Sequence, residues 1–465
     1  MNGLNFKVIT GAYTGMAASL VEGKTLHATF GLPINLDEQS TSRINMNSME
    51  AQEIRTTKLI IIDEASMIST DALNTIHNLL VAVTGNANVP FGGKCVVLAG
   101  DFRQTLPITQ DKSTITSIQK CLKNYVYWNQ FVRIELTQNM RALPGEILFK
   151  EWTLRVGDGV EPTIGNGLIQ IPNNVMCEPG QNIVDAVYGE GPLDPATTDQ
   201  LNRAILCPTN EEVFRVNEQV LRKLEGEEVT YISQDSVPER DNNDAYEDVM
   251  VETLNAQQPL GAPPHRLNLK VGAIVMLIKN LNVSEGLCNG TRLRVTHCGR
   301  LVIRATILYG PRHGDEFLFS QIAFQVQNQL NHNQNMRRVQ YPFRLAFAMT
   351  INKSQGQTFD RIGLLLNKPV FSHGQLYVAI SRVRSFASLK IIIQDIPAGQ
   401  NMQGRFENYP GQVFTKNLAN RFALPTVGGE IAAVYDPLNQ RGINVSLNKK
   451  CLVYLRNSFS KFNKF

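Results

Sequence analysis

Two adjacent carboxylates open the chemical reading of this chain. Asp63 and Glu64 directly follow the apolar run 59–62, the pattern of a buried strand that delivers polar groups at its end. In nucleotide hydrolysis an Asp so placed can hold magnesium, mostly through water, while the next Glu orients and deprotonates the attacking water. The same pair would equally serve as a surface cap before a helix whose N-cap is Ser66 or Ser69, and by residue type both readings stand. A second apolar run, 95–99, ends in Gly100-Asp101-Phe102-Arg103-Gln104-Thr105-Leu106-Pro107. Gln104 could sense a terminal phosphate or position water there, whereas Asp101 and Arg103 could be no more than a turn ion pair. A transferring phosphoryl group also needs positive charge where negative charge builds up. Arg141, in Leu136-Thr137-Gln138-Asn139-Met140-Arg141-Ala142, and Arg382, in Tyr377-Val378-Ala379-Ile380-Ser381-Arg382, are the candidates.

The elements that must position these groups follow from the apolar pattern. Runs 59–62, 95–99 and 343–349 are short, β-rich and followed by polar residues. Buried parallel strands look like this, and α/β sheets bind ligands at the carboxyl ends of such strands. A doubly wound α/β core is the expected fold class. Residues 230–270 are polar and rich in Asp, Asn and Pro, after which 291–296 and 301–308 read as a hairpin about His297-Cys298-Gly299-Arg300. The middle of the chain is therefore expected to be a small β-rich insertion between two α/β halves. There is no internal repeat, and beyond about residue 398 the pattern weakens into loops and a basic, aromatic tail.

With 465 residues, 43% hydrophobic and 18% charged, the chain can bury several cores. A net charge of +4 permits a nucleic-acid partner without demanding one. Its distribution says more. Residues 225–252 hold ten acidic side chains against the single Arg240, whereas 441–465 hold six Lys or Arg and no Asp or Glu. The acidic stretch should face away from nucleic acid. The seven cysteines (95, 121, 177, 207, 288, 298 and 451) form no CxxC pair, which argues against a disulfide framework and a zinc site and fits a reducing compartment. No apolar run approaches the roughly 20 residues that span a bilayer, and the opening residues lack a signal peptide's apolar core. The expectation is an intracellular protein, nuclear or cytosolic, with no membrane partner.

Taken in order, the segments combine into a known pattern. Asp63-Glu64-Ala65-Ser66, Gly100 through Pro107, Gln138-Asn139-Met140-Arg141, Thr350-Ile351-Asn352-Lys353-Ser354-Gln355-Gly356-Gln357-Thr358 and Leu376-Tyr377-Val378-Ala379-Ile380-Ser381-Arg382 resemble helicase motifs II to VI. They look like the Pif (petite integration frequency) helicases of superfamily one, and most like the version carried by Helitron transposons, which 207–213, 286–293 and 371–376 also resemble. The likeness runs from about residue 8 to 393. It implies two RecA-like, P-loop-type α/β domains with a small β-rich domain inserted in the second. Residues 1–140 would be the first domain, 141–210 the first part of the second, 211–340 the insertion, 341–398 the last part of the second, and 399–465 an unassigned basic tail.

The resemblance further implies an ATP-dependent DNA helicase that moves 5′ to 3′, with ATP and magnesium (Mg2+) as cofactors and single-stranded DNA and duplex junctions as partners; the residues do not fix the oligomeric state, for which a monomer is favoured. Asp63 would serve the magnesium, Glu64 would be the general base, Gln104 would couple phosphate state to DNA, and Arg141 and Arg382 would contact the γ-phosphate. Gly100, Asp101 and Gly356 would border the nucleotide. Thr14, Gly15, His27 and Phe30 resemble the DNA-gripping motif of the first domain, and Thr350, Lys353, Ser354 and Gln355 that of the second. Hydroxyls, a lysine and backbone amides suit phosphates, and His27 or Phe30 could stack on a base. Each has an ordinary use as well: Phe30 could be core, and Thr14-Gly15 a helix cap.

One motif of the family does not occur in these residues. A loop of the form G-x-x-x-x-G-K-[ST], whose amides cradle phosphates and whose Lys reaches the β and γ groups, has no match. Gly23-Lys24-Thr25 has Ala18 where the first glycine belongs, and Gly92-Gly93-Lys94 precedes a strand rather than a helix. The expectation is a truncated copy that starts past this loop, with residues 8–10 as the next strand. The loop's strand normally lies inside the sheet, so without it neighbouring strands expose edges that something must cover. The alternative reading is a catalytically dead, helicase-derived single-stranded DNA-binding protein. The tail's basic residues with Tyr454, Phe459, Phe462 and Phe465 could bind nucleic acid or simply be solvated.

Overall fold

The computed structural model describes residues 7–109, 111, 113–136, 141–164, 167–237, 251–259, 261–327, 335–393, 413–417 and 430–435. They form two compact units, one made of residues 1–178 with 351–465 and the other of 179–350.

The first unit is built on a six-stranded sheet. Its strands are β1 (Val8–Ala12), β2 (Lys24–Thr25), β3 (Leu59–Asp63), β4 (Cys95–Asp101), β5 (Val132–Glu135) and the segment Glu430–Tyr435, in the order β2, β1, β3, β4, Glu430–Tyr435, β5. The pairs β1–β2, β1–β3 and β3–β4 are parallel. Glu430–Tyr435 runs antiparallel to both β4 and β5.

Burial on both faces explains why β3 and β4 are continuously apolar rather than alternating. Ile60, Ile62, Val96 and Leu98 pack into the main core with Leu73, Ile76, Leu80 and Phe91, while Leu59, Ile61 and Val97 form a cluster on the opposite face. Helices α1 (Gly15–Leu20), α2 (Leu26–Phe30), α3 (Met49–Thr56) and α4 (Thr70–Thr84) each begin at a hydroxyl that accepts a backbone N–H, from Thr14, Thr25, Ser48 and Ser69 respectively. Of the two serines weighed after Glu64, Ser69 is thus the cap. The same unit holds the helices Ile147–Asp158 and Gln375–Ile380 and the parallel strands Arg361–Leu366 and Leu389–Ile393. It also holds an antiparallel sheet in which Val413–Lys416, from the tail, pairs with Leu168–Ile171.

The second unit pairs Arg203–Cys207 in parallel with Ala348–Thr350, and its other described strand pairs are antiparallel. A five-stranded sheet contains the hairpin of Arg292–Cys298 with Ile303–Ile307, which carries a register shift between Val295 and His297. The run 343–349, expected as one parallel strand, is split. Phe343–Leu345 pairs antiparallel with Ile274–Leu277, and only Ala348–Thr350 joins Arg203–Cys207. Both settings bury apolar side chains, so an unbroken apolar run cannot reveal where the chain changes sheets. In the acidic stretch, Asp235 is fully buried in an ion pair with Arg338 at 2.6 Å. The Arg338 guanidinium also donates to the carbonyls of Leu254, Gln257 and Pro263. Residues 238–250 of that stretch lie outside the described residues, as does the basic run 441–465.

Candidate active site

Strand β3 carries Asp63 and Glu64 to the carboxyl edge of the sheet, with Asp63 in register with Ala12 of β1. Glu64 then takes φ 54° and ψ 41°, a left-handed conformation that is unusual without glycine. Such a backbone costs on the order of 1–3 kcal/mol and persists where its surroundings impose it. Here the imposing element is a single 3-10 turn, Ala65–Met67, against the end of β4. A Cβ on Gly100 would lie 2.8 Å from the Ala65 nitrogen and 3.0 Å from that of Ser66. Gly100 is therefore required for the two strand ends to pass one another, a packing demand that accounts for the glycine without a ligand. Burial raises the pKa of the Glu64 carboxyl; Asp101 adds to the rise, while Arg382 and Arg141 oppose it. A carboxylate drawn toward neutrality in this way suits proton abstraction near neutral pH.

Asp101 is buried and fully engaged. It accepts from the Arg103 amide at 3.0 Å and from the Tyr377 phenol at 2.7 Å. The Arg103 guanidinium pairs instead with Asp158, through Nε at 2.6 Å and Nη2 at 3.1 Å, so a turn ion pair between Asp101 and Arg103 is not what forms. Asp101 ties the end of β4 to the helix Gln375–Ile380, which leads into Arg382, rather than presenting both oxygens to a nucleotide. Tyr377 was not singled out by residue type; its only sequence signal is its place five residues before Arg382. Gln104 accepts from the Gln355 side-chain amide at 3.3 Å, and the other end of that amide, Gln355 Oε1, is buried without a hydrogen-bond partner. Gly356 faces Glu64: a Cβ there would sit 3.8 Å from Glu64 Oε1.

The two arginines differ in exposure. Arg382 is only 1% exposed and donates to the carbonyls of Val378 and Gln357 and to the Ser381 hydroxyl. Burial pushes its pKa down to about 9, with Arg141 acting in the same direction against Glu64, Tyr377 and Asp101. Arg141 is half-buried and donates to the Ser381 carbonyl at 3.1 Å. Two guanidiniums that repel one another next to a buried carboxylate form a site that an added anion would stabilise. Among the described residues no three His, Cys, Asp or Glu gather as a metal cage. Magnesium needs none where phosphates supply most of its ligands, since one or two carboxylates then suffice. Asp63, a carboxylate at the end of β3, fits that mode.

The residues resembling DNA-gripping motifs are placed less uniformly. Thr14 Oγ1 accepts the Ala17 amide at 3.2 Å, and Gly15 is buried as the first residue of α1. His27 is half-buried, edge-on to Tyr13 at 5.7 Å, and burial lowers its pKa. Phe30 corrects the stacking expectation: its ring is wholly buried in the core with Leu26 and Ile54, which leaves no face for a base. Ser354 is also buried, its hydroxyl donating to the Ile351 carbonyl at 2.7 Å, whereas Lys353 is exposed. Thr350 ends the strand Ala348–Thr350 of the second unit.

Comparison with known proteins bears on the chain as a whole. A model of the PIF1-like helicase family matches residues 3–165, and one of the DNA helicase Pif1 2B domain matches 251–298. The ATP-dependent DNA helicase PIF1 of Rattus norvegicus is 30% identical over 392 residues, covering 82% of this chain and 54% of that protein. The human PIF1 is 29% identical over 395 residues, covering 82% and 53%. The chain thus spans about half the length of the curated relatives it matches. Among solved structures, one of two coordinating Pif1 helicases in DNA unwinding at forked duplex DNA superposes with a TM-score of 0.60 at 25% identity, covering 83% of this chain and 82% of that one. Bacteroides Pif1 bound to single-stranded DNA gives 0.59 at 22% identity with the same coverage, a likeness of fold.

Proposed function

This chain belongs to the PIF1-like helicase family, and on that premise we propose that it is the motor portion of an ATP-driven DNA helicase moving 5′ to 3′ on single-stranded DNA. The observation that carries the reading is the meeting of Glu64, Asp101, Arg141 and Arg382 at the carboxyl edge of β3 and β4, where each acts on the charge of another. Bound ATP would supply the reacting phosphoryl group and magnesium the positive charge that offsets it. Asp63 would hold the magnesium. Glu64 takes the proton of the attacking water, and Arg141 and Arg382 turn toward the γ-phosphate as charge develops there. Gln104 and Gln355 link that edge to the Lys353 turn, which would hold DNA phosphates together with Thr14, Gly15 and His27. The Helitron-like segments favour a role inside the nucleus, on transposon or genomic DNA and its junctions.

The competing reading is a protein that holds single-stranded DNA without hydrolysing ATP. Two measurements separate them. Fluorescence anisotropy with a labelled oligonucleotide should show binding that weakens steeply with salt. Phosphate release should be at background for the 465 residues alone and become DNA-dependent once a strand and helix carrying the loop are joined before Met1. Release that stays at background in the joined protein, with DNA binding intact, would leave the second reading. No binding by either form would remove both.

A further inference from the structure

The turn at the end of β4 is gripped at four consecutive residues. The Asp101 carboxylate accepts from the Tyr377 phenol at 2.7 Å, and the Phe102 carbonyl lies 3.0 Å from His373 Nε2. The Arg103 guanidinium donates twice to Asp158, at 2.6 and 3.1 Å, and Gln104 accepts from the Gln355 amide at 3.3 Å. Three of the partners come from 355–377. Asp158 alone belongs to the helix Ile147–Asp158, and it lies outside every segment that the sequence singles out for chemistry.

Asp158 stands where a carboxylate is unfavourable. It is the last residue of its helix, beside the left-handed cap Gly159, and the free carbonyls of a helix end repel an anion. Its two bonds to Arg103 offset that repulsion. The residue before it makes room for the arginine: a Cβ on Gly157 would fall 2.8 Å from Arg103 Cδ and 2.6 Å from the Tyr377 ring. On the other side of the turn a Cβ on Gly374 would lie 2.3 Å from the Arg103 carbonyl, so the backbone has little room to shift that way. A guanidinium that meets a carboxylate through two bonds is fixed in direction as well as in distance. With Arg103 drawn to Asp158, the turn closes on itself, its Arg103 and Gln104 amides donating to Asp101 at 3.0 Å each. The next side chain, Gln104, is thereby presented to Gln355.

We infer that Asp158 is a positioning residue, which acts through Arg103 to set the turn 101–104 and with it the direction of Gln104. The setting of the turn is a property of these residues alone. That Gln104, so directed, couples phosphate state to DNA rests on the proposed function, and the two are tested separately.

Hydrogen exchange on the 465 residues reads the turn without reference to ATP. Asp158→Ala should speed exchange of the Arg103 and Gln104 amides by about tenfold, while β3 and the helix Ile147–Asp158 keep their protection. Arg103→Gln should give the same local loss, and the double variant no more than either alone, as expected where one residue acts through the other. Asp158→Glu, which keeps the charge, should restore most of the protection. In the protein joined to a phosphate loop, Asp158→Ala should lower kcat by about five- to tenfold and leave KM for ATP unchanged, because the turn acts after the nucleotide is bound. Unchanged exchange in the turn, additive losses in the double variant, or a loss spread evenly over the first unit would overturn the inference and make Asp158 an ion pair of the fold only. A local loss in the turn with kcat unchanged would uphold the positioning of the turn and remove Gln104 from the proposed mechanism.

Discussion

The edge of β3 and β4 and the stretch from Thr14 to Phe30 answer to motifs of one family and lie in one unit, yet they are built in opposite ways. At the strand edge, groups that cost most to bury are buried: Asp101 at 4% exposure, Arg382 at 1%, and Glu64 with its pKa raised. In the other stretch the candidates serve the fold. Thr14 caps α1, and Phe30 fills the core. Charge has few structural uses that justify its desolvation, so a buried cluster of opposite charges points to chemistry. Hydroxyls and aromatic rings have many structural uses, so in them a motif identifies ancestry more reliably than a contact.

The strongest test of this contrast is Glu64→Gln in the protein joined to a phosphate loop. Turnover should fall by about 10²–10⁴-fold, the usual scale for losing a general base, while oligonucleotide affinity stays within about twofold because no DNA-type residue is touched. Turnover that survives the change would mean another group deprotonates the water.

Phe30→Ala probes the other half of the comparison. As a core ring it should cost about 3–5 kcal/mol of stability, seen as a lowered melting temperature. Folded protein, isolated at low temperature, should bind DNA as before. A stable variant with weakened binding would instead restore Phe30 to the DNA surface.

These two outcomes also bear on what could be read from residues alone. β3, β4 and the caps of α1 and α4 were legible because double-sided burial leaves unbroken apolar runs and because hydroxyls at helix starts have one dominant use. The exchange of sheets at Ala346 and Phe347 was not, since both sheets demand apolar residues. Neither was the bond from Tyr377 to Asp101: a lone tyrosine in a helical motif carries no mark of which distant carboxylate it meets. Asp235 looked like one more solvated acid among ten until Arg338 was found beside it. Glu430–Tyr435 was the least legible. Glu-Ile-Ala-Ala-Val-Tyr is short and half made of residues depleted in strands, and only two unsatisfied neighbours select it.

Lys353 is the exposed member of the 350–358 motif, the one whose side chain lies open to solvent. Lys353→Ala should weaken binding of a labelled oligonucleotide several-fold, about 1 kcal/mol, and reduce the slope of log affinity against log salt by about 0.7, one single-strand phosphate contact. Lys461→Ala, in the tail, should change neither value if that segment is solvated. Equal losses from both would place DNA elsewhere than the motif suggests.

The smallest effect concerns the imidazole that packs behind this edge. His373 is 2% exposed, and its Nε2 lies 3.0 Å from the Phe102 carbonyl. Burial holds its pKa below 6.5, Lys123 pushes the same way, and the Phe102 carbonyl and Asp101 pull back. The unfolded chain therefore takes up this proton at a higher pH than the folded one. By linkage, stability is full above 6.5 and is lost as pH falls below it, by at most about 0.8 kcal/mol at pH 6 relative to pH 7.5. His27 and His77 in the same unit are shifted in the same direction by burial, so the whole protein should lose more than this. The share of His373 is isolated by His373→Gln, whose side-chain amide can still donate to Phe102 but cannot titrate. Melting temperatures of the two proteins should diverge between pH 7.5 and 6, with the variant falling less. Parallel curves would mean that His373 binds its proton equally well folded and unfolded, and curves in which the variant falls more would mean that the folded state holds the proton.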